Sequence, residues 1–294
     1  MGMRTIIVLV GGLLLLAGCG GTVGASGSGL EVVAAENFYG DIAQQIGGAH
    51  VHVTSILSDP NADPHLFEPG SSNGLAVSTA AVVIQNGVGY DAFMTKLENA
   101  SPNSKRSVLT IADVLGVHGH DANPHLWYDV PALGRIAGAI AGALEHADSA
   151  HAAAYQAGLA RFNASLGPLR REVARIRASY GGSPVAYTEP VPGYLLDAAG
   201  LKNRAPSSFT HAIEEGTEPS PQAVAAMNAL MTKRQVKVLL YNNQAVSPIT
   251  SRVRAEAVRA QIPVLGVSET VPPHTTFQQW QLSQVRQLAV ALAR

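Results

Sequence analysis

The chain has 294 residues, with 20 Lys and Arg against 21 Asp and Glu and a formal net charge of −1 at pH 7. Sparse, balanced charge without a basic stripe excludes nucleic acid as a partner. Cys19 is the only cysteine, which excludes a disulfide within the chain. Low charge with abundant Ala, Gly and Val fits a compact α/β protein.

Residues 1–18 begin Met-Gly-Met-Arg and continue as a short apolar run ending in small residues. That is the pattern of a signal peptide, too short for a membrane span. Leu16-Ala17-Gly18-Cys19 resembles a bacterial lipobox. The resemblance implies cleavage before Cys19 and a lipid on its thiol, which would anchor the protein to the outer face of a bacterial cell membrane. Residues 19–29 are rich in Gly and Ser and read as a flexible tether. No later apolar run is long enough to span a bilayer.

From residue 30, β-rich runs alternate with helical patterns. Strands are predicted at 31–35, 51–57 and 81–86, with helices around 39–47, 92–99 and 131–145. The pattern restarts with strands at 185–188, 237–242 and 263–268 and helices around 193–199, 221–233 and 249–260. Such alternation predicts parallel sheets flanked by helices, in an N-terminal lobe (30–148) and a C-terminal lobe (182–294). Between them, 149–181 carries Tyr155, Leu159, Phe162, Leu166, Leu169, Val173, Ile176 and Tyr180 at alternating spacings of four and three. That stripe predicts a long connecting helix, with Asp148 as its N-cap and a kink or a brief interruption at Gly167-Pro168.

The chemistry lies in the loops. Pro64-His65-Leu66-Phe67 and Pro124-His125-Leu126-Trp127 share one frame. Each proline biases the residue before it toward extended backbone, so each histidine sits on a stiff loop. Two such imidazoles with carboxylates nearby suggest a metal site. Glu68 and Asp129 follow these frames. They either orient the imidazoles or cap the next helices. Glu189 and Glu269 each follow a predicted strand of the second half, where ligands of open α/β sheets bind; solvated loop acids are the alternative. His118-Gly119-His120-Asp121 reads equally as a small metal-collecting loop or a polar turn.

Together these segments resemble the metal-binding lipoproteins of bacterial ABC importers, the zinc- and manganese-binding group of solute-binding proteins. The specific pieces are Asp63-Pro64-His65, Asn123-Pro124-His125-Leu126-Trp127-Tyr128-Asp129, Tyr187-Thr188-Glu189 with Tyr194-Leu195, and Glu214-Glu215-Gly216-Thr217-Glu218-Pro219-Ser220-Pro221. The resemblance implies two α/β lobes joined by one long helix, with the metal between them. It implies that His65 and His125 are the first two ligands and Glu189 the third. Members of that group usually carry an aspartate as the fourth; here the acid in that region is Glu269.

That set would hold one divalent ion. It offers no thiolate, and its carboxylates with only two imidazoles lean toward manganese, although zinc binds most such sites more tightly. Capture for a permease and its ATPase, by a monomer without enzymatic activity, is the leading expectation. A metallohydrolase would need an open coordination position and an activated water, and no His-Glu-x-x-His pattern is present. A binder of a metal chelate would want aromatic or basic walls, and Trp127 and Trp280 are the only tryptophans. The lipid anchor has its own test: Cys19→Ser should move the protein from the membrane to the soluble fraction on ultracentrifugation. Unchanged membrane association of that variant would overturn the anchor.

Overall fold

The computed structural model describes residues 1–2 and 29–294, apart from Ala62, His120 and the side chain of His65. The signal segment and Cys19 lie outside the described residues. Leu30–Glu36 (β1), Val51–Leu57 (β2), Val82–Gln85 (β3) and Ser107–Thr110 (β4) form one parallel sheet in the order β2-β1-β3-β4. Pro184–Tyr187 (β5), Lys202–Asn203 (β6), Leu239–Asn242 (β7) and Val264–Val267 (β8) form a second in the order β6-β5-β7-β8. Val32 pairs with both Val53 and Val82, and Leu239 with both Ala186 and Val264.

Helices Asn37–Gly47 (α1), Ser71–Thr79 (α2), Ala92–Ala100 (α3), Ile111–Leu115 (α4) and Leu133–Ala147 (α5) belong to the first half. Ala152–Ser165 (α6) and Gly167–Tyr180 (α7) follow. Gly193–Ala198 (α8), Ser207–Glu214 (α9), Pro221–Thr232 (α10), Pro248–Arg259 (α11) and Phe277–Leu292 (α12) complete the chain. No helix among the described residues is long and apolar enough to cross a membrane.

β1 shows why its sequence reads as an unbroken apolar run. Val33 and Ala35 pack with Ile56, Val77, Phe93 and Met94 on one face, while Val32 and Ala34 pack with Phe38, Ile42 and Trp127 on the other. Alternate side chains point to opposite faces of a strand, and here helices cover both. Ser-Pro pairs start α10 and α11. Ser220 and Ser247 accept the backbone N–H of Ala223 and Thr250, and each proline occupies the first helical turn, where its missing N–H costs nothing.

The connecting segment carries the expected interruption, as two helices separated at Leu166. α6 ends at Ser165 and α7 begins at Gly167, with Pro168 in its first turn. Proline is thus accommodated at a helix start instead of kinking a helix interior. Asp148 is not the N-cap expected of it. It ends α5, and its carboxylate accepts from His151 Nδ1 (2.6 Å) and Tyr155 OH (2.7 Å) instead of a helix N–H. α6 packs on α1 and α5, and α7 packs on α12.

The end of the chain returns to the first half. Asn37 exchanges two hydrogen bonds with the Val271 backbone, both 2.9 Å. The Phe277 N–H donates to Asp41 Oδ2 (2.8 Å), and Gln278 Nε2 donates to Gln45 Oε1 (2.7 Å) and Ser165 Oγ (3.1 Å). One apolar cluster accordingly runs through residues of both halves.

At the α6–α1 crossing a Cβ on Gly158 would lie 2.1 Å from the Ile46 carbonyl oxygen. Backbone, unlike a flexible side chain, cannot step aside. Gly158→Ala should therefore destabilise the fold by about 1–3 kcal/mol, despite alanine's better helix propensity. Urea unfolding of the two proteins checks this; equal midpoints would show that the helices separate freely.

Candidate metal centre

The two sheets repeat one topology. In each, the chain leaves the first strand toward one side and then crosses to the other, which puts a switch point between β1 and β3 and another between β5 and β7. Crevices form at the carboxyl ends of the strands at such points. Glu36 ends β1, Asn86 follows β3, Glu189 lies two residues beyond β5, Asn242 ends β7 and Glu269 lies two residues beyond β8. Each therefore arrives at the same edge of its sheet.

His125, Glu189 and Glu269 are brought together with potential ligand atoms all within 4.8 Å of one another. They are 0 %, 1 % and 0 % exposed. The imidazole is held from behind. Asn123 Oδ1 accepts both the His125 backbone N–H (3.0 Å) and Nδ1 (2.7 Å), while Asn123 Nδ2 donates to the Pro190 carbonyl (2.9 Å). That second bond fixes the amide orientation, so Nδ1 carries a hydrogen and the Nε2 lone pair points into the site. Nε2 lies 3.2 Å from Glu269 Oε2. A lone pair facing a carboxylate oxygen is repulsive; a proton or a cation between them makes the contact attractive.

The carboxylates are positioned with equal care. Asn242 Nδ2 donates to Glu189 Oε2 (2.5 Å) and to Glu269 Oε1 (2.7 Å). Tyr90 OH donates to Glu269 Oε2 (2.9 Å), and the Glu269 N–H donates to Gln244 Oε1 (2.5 Å). The phenol of Tyr90 is held well above its usual pKa, by burial first and then by the charge of Glu269. It stays protonated and donating. Beneath lies an aromatic floor: Trp127 stacks on Phe38 at 4.0 Å and meets Tyr90 at 4.9 Å and His125 at 5.2 Å. Apolar rings in that position strengthen every charge interaction above them.

Sequence reasoning missed Tyr90, Asn123, Asn242 and Gln244. Asn242 could have been found by the same strand-end argument that singled out Glu189. Its neighbour Asn243 is exposed. Glu36 was missed too. It is 0 % exposed, and its carboxyl group lies against that of Asp91. Burial, and then the charge of Asp91, raise its pKa well above the ordinary value.

The remaining predicted residues are placed as follows. His65 lies in the short turn Pro64–Leu66 after β2, and its side chain is outside the described residues. Glu68 is exposed. Asn123, not Asp129, bonds the His125 ring; Asp129 Oδ1 accepts the Ala132 N–H (3.3 Å) in the turn ahead of α5 and does not cap that helix. His118 is exposed, with Nδ1 4.0 Å from Asp113, and His120 lies outside the described residues. Asp121 lines a cavity of about 620 Å³ with Tyr90, Asn123, His211 and Glu214. Glu214 Oε1 comes within 3.8 Å of His125 Nδ1, and Tyr90 on the same wall donates to Glu269, so this cavity adjoins the centre. Buried nitrogen and oxygen donors converging from three loops suit a borderline divalent ion.

Comparison with known proteins agrees with that chemistry. Residues 32–291 match the family model ZnuA, described as zinc-uptake complex component A, periplasmic. The chain is 25 % identical over 256 residues to the manganese ABC transporter substrate-binding lipoprotein scaA of Streptococcus gordonii, covering 80 % of each protein. It is 36 % identical over 122 residues to the manganese-binding lipoprotein MntA of Halalkalibacterium halodurans, 40 % of each. The fold superimposes on the periplasmic zinc-binding protein TroA of Treponema pallidum with a TM-score of 0.77 at 18 % identity, covering 90 % of this chain and 99 % of that one.

Glu36 generates a pH prediction. Its native pKa is raised, so above the ordinary carboxylate range the unfolded chain has released a proton that the native state still holds. Stability therefore falls as pH rises through that window, with a slope of up to about 1.4 kcal/mol per unit. Glu36→Gln removes the slope. The melting temperature of the variant relative to the parent should increase from pH 5 to pH 8. Parallel curves for the two proteins would contradict the raised pKa.

Proposed function

Since the chain belongs to the ZnuA family, we propose that it captures one divalent transition-metal ion outside the cell and delivers it to an ABC permease with its ATPase. The observation that carries this reading is the convergence of His125, Glu189 and Glu269 in a buried crevice where strand ends from both halves meet. His65, on the turn after β2, is proposed as the fourth ligand. The set is then two imidazoles and two carboxylates. The oxygen donors and the lack of a third imidazole lean toward manganese, while zinc gains from its higher intrinsic affinity.

The proposal includes the chain's organisation. Residues 1–18 form a signal peptide and Cys19 carries the lipid, with 19–29 as tether. Residues 30–148 and 182–294 are the lobes, linked by 149–181, and the protein acts as a monomer. No reaction is part of this role. A hydrolase reading is disfavoured because the chain has no His-Glu-x-x-His pattern.

An ion that binds only the native state stabilises it by about 2.7 kcal/mol at a hundredfold excess over Kd. Manganese and zinc should therefore each raise the melting temperature of the parent, and His125→Ala and Glu189→Gln should remove most of the rise. Acidification should weaken binding, since a protonated imidazole cannot coordinate. Parent-like shifts in both variants would place the ion elsewhere.

A further inference from the structure

Resting on the metal-capture reading, we propose that Asn242 is a specificity-determining residue that holds Glu189 and Glu269 to one coordinating oxygen each. Its Nδ2 carries two hydrogens, one directed to Glu189 Oε2 (2.5 Å) and one to Glu269 Oε1 (2.7 Å). The amide cannot turn over. Asn242 Oδ1 accepts the Gln244 N–H (3.0 Å), and the flipped orientation would set oxygen against two carboxylates and NH2 against an N–H. The backbone is pinned as well, since the Asn242 N–H donates to Thr188 Oγ1 (3.1 Å) at the end of β7.

The consequence is geometric. Glu269 keeps Oε2 toward His125 Nε2, at 3.2 Å, and gives Oε1 to the amide. Glu189 gives Oε2 to the amide and would meet an ion through its other oxygen. Two imidazoles and two single carboxylate oxygens make four donors, which suits the tetrahedral preference of zinc. Manganese favours six. To supply more donors, the carboxylates would have to turn both oxygens to the ion and abandon the amide, leaving a buried NH2 group unsatisfied. Asn242 is itself 1 % exposed, so water does not replace the lost bonds. The amide thus works against the preference that the oxygen donors alone would give.

The test uses the full chain, purified in detergent, with Asn242→Ala and the near-isosteric Asn242→Leu, each loaded with cobalt(II) as an optical probe and titrated with zinc against manganese. A four-coordinate cobalt site absorbs strongly in the visible and a six-coordinate one weakly. The parent should give the strong spectrum. The variants should lose intensity, and their ratio of zinc to manganese affinity should fall on the order of tenfold, the scale of one unsatisfied buried donor. A weak parent spectrum, or folded variants with the parent's spectrum and ratio, overturns the role of Asn242; so do folded variants that bind no ion. A folded parent that binds none of the three metals overturns the metal-capture reading instead.

Discussion

Glu189 and Glu269 bring two carboxylates into a space that solvent barely reaches, both tied to the same amide nitrogen. Like charges that close repel strongly when the surroundings polarise weakly. An amide and a phenol offset part of that repulsion through hydrogen bonds, while the Nε2 lone pair of His125 adds to it. None of the three supplies the two positive charges that two carboxylates call for. A divalent cation would, as the proposed role requires. The cost of assembling the centre is met by the rest of the fold.

The scaffold meets that cost through its repeated topology. Parallel sheets with the same strand order place several loops at one edge, and each loop contributes one or two polar groups to the shared crevice. Trp127 links this edge to the core, because its ring lies on Phe38 from α1 and beside His125 at the centre. Asn86 ties the loop after β3 to the Pro124 carbonyl (2.8 Å) and accepts from Tyr39 OH (2.7 Å). The histidine is thereby braced by residues from three separate stretches of the first half and, through Asn123 and Pro190, by the second half.

Much of this was legible in the sequence because its signals are local. The strands that became β1, β2, β3, β5, β7 and β8 are short apolar runs, and the Pro-His-Leu-aromatic frames and strand-end glutamates stand out against a chain poor in charge. What escaped has physical reasons. β6 is two exposed residues with no side-chain pattern. α2 holds Gly74 and Ser/Thr in place of an apolar stripe. α12 buries Gln281 and Gln284 where a reader expects leucine, and Gln284 accepts from Tyr128 OH at 2.9 Å. Its polarity along the sequence hides a partnership that exists only in three dimensions. Asn123, Asn242 and Gln244 escaped for the same reason: an amide declares its role only through the groups on its two sides.

The return of the chain terminus to α1 has a bearing on how the molecule is assembled. Asn37, Asp41 and Gln45 find their partners at Val271, Phe277 and Gln278, more than 230 positions later. Contacts that distant carry a large loop-closure entropy and form late. While the chain emerges from its N-terminus, the face of α1 that will receive them stays uncovered until almost the last helix is available. The fold is therefore completed by its end, and a truncation that spares every residue of the metal centre would still leave the first half unclosed.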